Sequence, residues 1–428
     1  MLEANYICQR RVRYSLILAT LLLAVLGAGR FAFAASLDRP NALDRRVDAL
    51  SARMLVSESA TQLVDPARQA AAVRLVHWRL PVWICVQIFE AIGLVYFWMS
   101  GGAAALRRWL QRHIRSPWLM RFAFGASLAL VARIAAIVPG FALYRVDRIM
   151  QLSVQLTRTW LGFWAFHTLL GMIAAGLIAA IVLGLVARTH QWYLYTILAI
   201  LAGCVVVPLF APYARIPGPS SMQPLSGSLR VRIEALIRRS DLPQVPVSIV
   251  RVAHSPAGGA AVLGLGASRT IVLSDTLIAG STAPEIEYAV AVELGHFVRH
   301  DVIAIALIEG GLIILFSALA VLIADRIPFR RDDDPLSRLA IVGALLALLY
   351  VVAVPARNAA IQGYDFGADR YAVALTGDPA DAVRSLVRSA DQRMEEACPE
   401  PAARLFLYES PGIALRVAAM NGIPARCR

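Results

Sequence analysis

Long apolar runs separated by short polar connections set the pattern of this chain. They fall at about Leu80–Ala105, Phe122–Leu143, Trp160–Ala187, Trp192–Pro212, Val302–Ala324 and Leu339–Pro355. A helix needs about 20 apolar residues to cross roughly 30 Å of hydrocarbon, where only helices and closed barrels satisfy the backbone. Each run is therefore expected to cross a membrane, the last being marginal in length. An earlier run, Ser15–Gly29, follows Arg10, Arg11 and Arg13 and leads to Ala32-Phe33-Ala34. That layout fits a cleaved signal peptide, and the extension Phe31–Ala35 fits equally a first membrane helix, for about 6–7 spans in all. Trp160, Trp192, Tyr193 and Tyr350 stand at run ends, as interfacial anchors do.

The polar stretches differ from one another. Ser36–Arg79 has helical spacing and is expected to be an extramembrane helical hairpin or cap. Ala214–Asp301 mixes periods: Leu229, Ile233, Leu236 and Ile237 share a helical face, Val245–Val252 alternates like a strand, and Thr270–Leu273 is short and β-branched. Pro284–His300 returns to helix, opened by Ser281-Thr282 with Glu285 and Glu287 in its first turns. Asn358–Arg428 reads as mostly helical, with a stop at Gly377-Asp378-Pro379. The expected fold is mainly α: a multi-pass helical membrane protein with a small inserted α+β domain. Its segments are 1–35, 36–213 and 214–428, the last including two spans.

Composition agrees. The chain has 428 residues, of which 58% are hydrophobic and 17% charged, far from the balance of a soluble domain. Its formal charge of +13 is carried by arginine alone, since lysine is absent. No basic folded domain or aromatic-rich nucleic-acid motif accompanies that charge, so the expected partner is anionic lipid, not nucleic acid. The five cysteines lack CxxC spacing, which excludes a zinc ribbon. Cys398 and Cys427 are free to pair if their segment faces an oxidising compartment.

The candidate chemistry lies in Ala291-Val292-Glu293-Leu294-Gly295-His296, just before a membrane span. In H-E-x-x-H, two imidazoles one helical turn apart ligate zinc and the Glu is general base on the metal-bound water. Here Glu293 and His296 stand, and Val292 occupies the first ligand position. The stretch resembles the HELGH core of the M48 peptidases, in particular the integral-membrane Ste24-type CAAX prenyl proteases and their bacterial relatives. Gly264-Leu265-Gly266 with Thr270–Leu277 is similar to the strand and turn before the zinc helix, and Asp365–Ala372 to the family's E-x-x-A-D segment. Tyr144–Trp160, with Ser153 and Gln155, is similar to its N-terminal membrane domain.

The resemblance implies a zincin-like domain, zinc as cofactor, and a peptide or membrane-protein substrate or partner. It also implies ligands at 292, 296 and 365, Glu293 as base and Asp369 as supporting carboxylate. Val292 cannot ligate, whereas Asp365, standing where the family has Glu, costs only reach. Losing one imidazole removes about 3–4 kcal/mol of zinc binding, so zinc is expected to be weak or absent. The family's substrate-pairing strand carries an Asn and aromatics where this chain has Gly259–Leu263, and Ser410-Pro411 with Arg416 lacks the usual His before the Pro. A register-shifted site using His296, His300 and Asp365 or Asp369 is a rival; the plainer reading makes His300 an interfacial polar residue. Arg133 and Glu309, inside apolar runs, are expected to line a chamber or form ion pairs, and His167 to be a satisfied polar residue.

Three functions compete: an M48 homologue with lost or weakened endopeptidase activity and retained peptide or partner binding, an active zinc endopeptidase cleaving membrane-associated or CAAX-type peptides, and a transporter or channel. The last leaves the catalytic helix unexplained. Location is expected in a membrane, a bacterial inner membrane by the resemblance. The arginine distribution favours the 214–301 segment outside the cytoplasm, while the resemblance implies a site open to the cytosol.

Overall fold

The computed structural model describes residues 45–210, 222–240, 242, 244–251, 258–264, 268–328 and 335–427. The expectations for the N-terminal apolar segment lie outside these residues. An N-terminal cap, α1 (Ala52–Ser57) and α2 (Ala60–Leu63), leads into α3 (Pro66–Met99), α4 (Gly102–His113), α5 (Pro117–Ala135), α6 (Ile137–Ile149), α7 (Thr157–Val186) and α8 (Trp192–Phe210). Then come β1 (Gln223–Pro224), α9 (Gly227–Arg239), β2 (Val247–Val250), β3 (Ala260–Leu263), β4 (Thr270–Ser274), α10 (Asp275–Gly280) and α11 (Ala283–Val298). The chain continues through α12 (Asp301–Arg326), α13 (Pro335–Ile361), α14 (Gly363–Thr376), α15 (Pro379–Arg393), α16 (Pro401–Leu407) and α17 (Ile413–Asn421).

Among the described residues, α3, α5, α7, α12 and α13 are long and apolar enough to cross a membrane, and α8 adds a shorter apolar stretch, Trp192–Cys204. Their outward faces carry Ile178 (62% exposed), Leu198 (60%) and Leu322 (64%), a surface that only lipid covers at low cost. Close packing uses small residues: a Cβ on Gly125 of α5 would meet Ala179 and the carbonyl of Ala175 on α7.

Two boundaries differ from expectation. The membrane helix begins at Pro66, not Leu80, because the Asp65 side chain caps it by accepting from Arg68 N, with proline at the first turn. Its first turns pack Ala71, Ala72 and Leu75 on Met150 and Met394, so part of the expected cap is the extramembrane end of α3. The run Phe122–Leu143 is two helices, broken at Ala136, where Pro139 in the first turn of α6 cannot donate back into α5.

Arg133 and Glu309, expected to line a chamber or form ion pairs, are both paired. Arg133 lies 3.5 Å from Glu90, lining a cavity of about 420 Å³ with Gln87 and Tyr350, and Arg357 donates to Glu309 at 2.7 Å. His167 bonds the Phe163 carbonyl of its own helix, as a satisfied polar residue does.

The extramembrane domain holds a sheet of order β1-β2-β4-β3, in which β2 and β4 run parallel and β3 is an antiparallel edge strand on β4. β4 is buried throughout, and one core joins it to α11, α14, α15 and the N-terminal cap through Leu55, Leu63, Ile271, Leu294, Ala368 and Val383. The cap is tied down by polar bonds as well: Asp65 N donates to Asp391, and Arg388 reaches both Asp48 and Glu285. The stop at Gly377-Asp378-Pro379 is realised, with Gly377 at φ 78° ending α14 and Asp378 capping α15. Cys398 and Cys427 form a disulfide, with Cα atoms 5.5 Å apart.

Candidate metal centre

Helix α11 begins with a capping box, in which the Thr282 side chain and Glu285 exchange bonds with each other's backbone. Glu285 is fully buried and also binds Arg388, so the helix start is fixed from two sides. From there Tyr288, Val292 and His296 follow at one-turn spacing, forming one stripe on the helix. Helix α14 crosses this stripe closely: a Cβ on Gly295 would stand 3.1 Å from Ala368 Cα and O, tight enough that the α14 backbone would have to give way slightly. The crossing brings Asp365 to His296, with Oδ1 3.6 Å from Nε2, and Asp369, one turn later, to Tyr288, whose hydroxyl donates to it at 2.7 Å. Val292 stands on α11 between those two contacts, 9% exposed.

Each remaining group is held. His296 presents Nδ1 to Asp301 Oδ2 at 3.0 Å, which leaves Nε2 directed at Asp365. Asp301 itself is 2% exposed and sits in the first turn of α12, where the helix dipole favours an anion. Asp369, 1% exposed, is gripped bidentately by Arg416 from α17, at 2.6 and 2.8 Å. Glu293 accepts from Val262 N of edge strand β3 at 3.2 Å. Burial pushes the Glu293 carboxyl up to about 7, against the pull of His296 and the Val262 bond, and the Asp365 charge adds to the rise. Burial likewise raises the Tyr288 phenol well above its ordinary value.

The expected residues are thus brought together with one exception. Glu293, His296, Asp365, Asp369 and Arg416 lie close to one another on α11, α14 and α17, and Val292 is on the same stripe of α11 as His296. His300 lies beyond the end of α11 in the left-handed region, φ 59°, and is exposed. The one-turn spacing of His296 and His300 therefore is not a shared helix face, and the register-shifted arrangement lacks its geometry. Two participants were not singled out from sequence. Tyr288 was visible as the residue one turn before Val292. Asp301 was visible only as a neighbour of His300, and its contact with His296 depends on the turn between α11 and α12.

Zinc is the metal this donor chemistry suits, and the fit is partial. Two ligands about 2.0–2.2 Å from a tetrahedral zinc lie roughly 3.4 Å apart, close to the His296–Asp365 separation of 3.6 Å. A third donor belongs where Val292 stands, and among the described residues no group of three His, Cys, Asp or Glu side chains is placed to hold a metal. Among the described residues the set offers zinc two donors, His296 and Asp365.

Residues 225–423 match the profile of peptidase family M48. They form an M48 peptidase domain. The M48 domain thus contains every element of the site from α9 to α17. Relatives agree with it: the uncharacterized metalloprotease YhfN of Bacillus subtilis is 23% identical over 340 residues, 74% of this chain and 77% of its own. Protease HtpX homolog 1 of Streptomyces coelicolor is 26% identical over 232 residues, 51% of this chain and 71% of its own. The crystal structure of S. mikatae Ste24p superposes with a TM-score of 0.71 at 16% identity, covering 93% of this chain and 98% of that one. The chain therefore has the Ste24p fold, membrane helices included.

Proposed function

We propose that this protein is a membrane-embedded M48 homologue that keeps a peptide- or partner-binding cleft and has lost, or nearly lost, zinc-dependent endopeptidase activity; we place it in a bacterial inner membrane. The observation that carries this is Val292: an aliphatic side chain stands between Tyr288 and His296 on the stripe that faces Asp365 and Asp369. A missing imidazole costs about 3–4 kcal/mol of zinc binding, about two to three decades of affinity. What remains suits a peptide. β3 is a sheet edge, and strand addition along such an edge binds extended chains through backbone bonds. Glu293, bonded to that edge at Val262, stands where an incoming strand would run.

A second reading, an active zinc endopeptidase acting on membrane-associated peptides, is favoured by the His296–Asp365 separation, which nearly matches the span of two zinc ligands. Cleavage of a fluorogenic, unfolded peptide by purified protein separates the two. The first reading expects no chelator-sensitive cleavage by the natural protein, and cleavage that Glu293→Gln abolishes once Val292→His is introduced. Chelator-sensitive cleavage by the natural protein, lost in Glu293→Gln, makes the second reading correct.

A further inference from the structure

We infer that the Glu293 cleft opens on the oxidising, extracytoplasmic side of the membrane, so that its peptide partners are exported or outward-anchored polypeptide segments. The partner class rests on the peptide-binding reading above; the orientation stands on two independent observations.

The first is the Cys398–Cys427 disulfide. Cys398 packs against the core of the M48 domain and Cys427 follows α17, so the bond fastens the tail of the helix that supplies Arg416. Such bonds form and persist in oxidising compartments and are rare where thiols are kept reduced. Cys85 and Cys204, within membrane helices, are free thiols.

The second is the opposite face. Leu94, Ala103, Leu110, Leu336 and Ala340 share one cluster, with Leu183 packed on it, so the end of α3, α4, the end of α7 and the start of α13 lie together, away from the M48 domain. At that face stand Arg107, Arg108, Arg112 and Arg115 in and after α4, then Arg188 after α7, then Arg326 at the end of α12; the sequence adds Arg330 and Arg331 before α13. On the domain face, residues 150–156 join α6 to α7 without a basic residue, although Arg148 and Arg158 flank them. On the cap side Arg46 pairs with Asp391 and bonds the Leu63 carbonyl, and Arg68 bonds the Asp391 carbonyl, while Arg45, Arg53 and Arg74 are exposed. Short arginine-rich connections remain in the cytoplasm, and parity then sends the M48 domain outside. Prenylated peptides of the cytosol would not meet such a cleft.

Membrane-impermeant maleimide labelling of full-length single-cysteine variants in bacterial spheroplasts tests the orientation. Val231→Cys lies on the exposed surface of α9 and Arg108→Cys on the exposed face of α4. Expected is labelling of Val231→Cys in intact spheroplasts and of Arg108→Cys only after lysis. Protection of Val231→Cys until lysis overturns the inference. As a measurement on the unsubstituted chain, a thiol-reactive polyethylene glycol added at denaturation should shift it further after reduction than before; equal shifts overturn the disulfide argument. Neither readout depends on metal or peptide, so failure of peptide binding with the domain outside would sink the binding reading alone.

Discussion

The Nδ1 atom of His296, in the last turn of α11, stands 3.0 Å from Oδ2 of Asp301, the first residue of α12. A carboxylate so placed fixes the tautomer and direction of a ligating imidazole, and removing such a partner lowers metal affinity by about 10–100-fold. In a Val292→His background, adding Asp301→Ala should weaken zinc binding by that factor, measured by competition with a chromophoric chelator. Unchanged affinity would mean that Asp301 serves only the start of α12.

Glu293 gives the metal-free protein a characteristic pH dependence. Its folded pKa, about 7, lies above the ordinary 4.5, so the native state holds a proton that the unfolded chain has released between those values. Its contribution is therefore fully present below pH 4.5 and lost as pH rises through 7. Glu293→Gln mimics the protonated form. Relative to it, the natural protein should lose on the order of 3 kcal/mol between pH 5 and 8, seen as a widening gap between melting temperatures in chelator. A constant gap would show that the carboxyl is not raised.

Asp369 and Arg416 form a buried bidentate pair closed by Tyr288. Arg416→Ala leaves the carboxylate uncompensated and should cost about 3–5 kcal/mol, read by chemical denaturation. Arg416→Lys retains charge without the planar fork and should recover only part of that.

His300 turns the chain from α11 into α12 at φ 59°, a conformation glycine adopts without strain. His300→Gly should leave zinc binding by the Val292→His protein unchanged and raise its melting temperature slightly. Loss of zinc would restore the register-shifted site.

Much of this was legible in the sequence, for identifiable reasons. The membrane helices are long apolar runs, and lipid leaves the chain few alternatives. Glu293 and His296 sit in one short motif, and Asp365 and Asp369 follow from the likeness of their segment to one family. The break at Ala136 was not legible, since hydrophobicity continues through Pro139. Nor was the extramembrane start of α3, whose polar first turns read as a separate hairpin. Asp301 and Tyr288 escaped because their roles arise from tertiary geometry: a left-handed residue folds Asp301 back on His296, and the crossing at Gly295 and Ala368 carries Asp369 to Tyr288.

The weight placed on Val292 is open to one direct measurement: zinc per polypeptide in natural and Val292→His protein, purified in parallel and equilibrated with equal zinc near micromolar concentration. Val292→His should hold close to one zinc per chain, lost on His296→Ala, while the natural protein holds a small fraction of that. Near-stoichiometric zinc in the natural protein, lost on His296→Ala, would contradict the assignment of Val292 as a missing ligand.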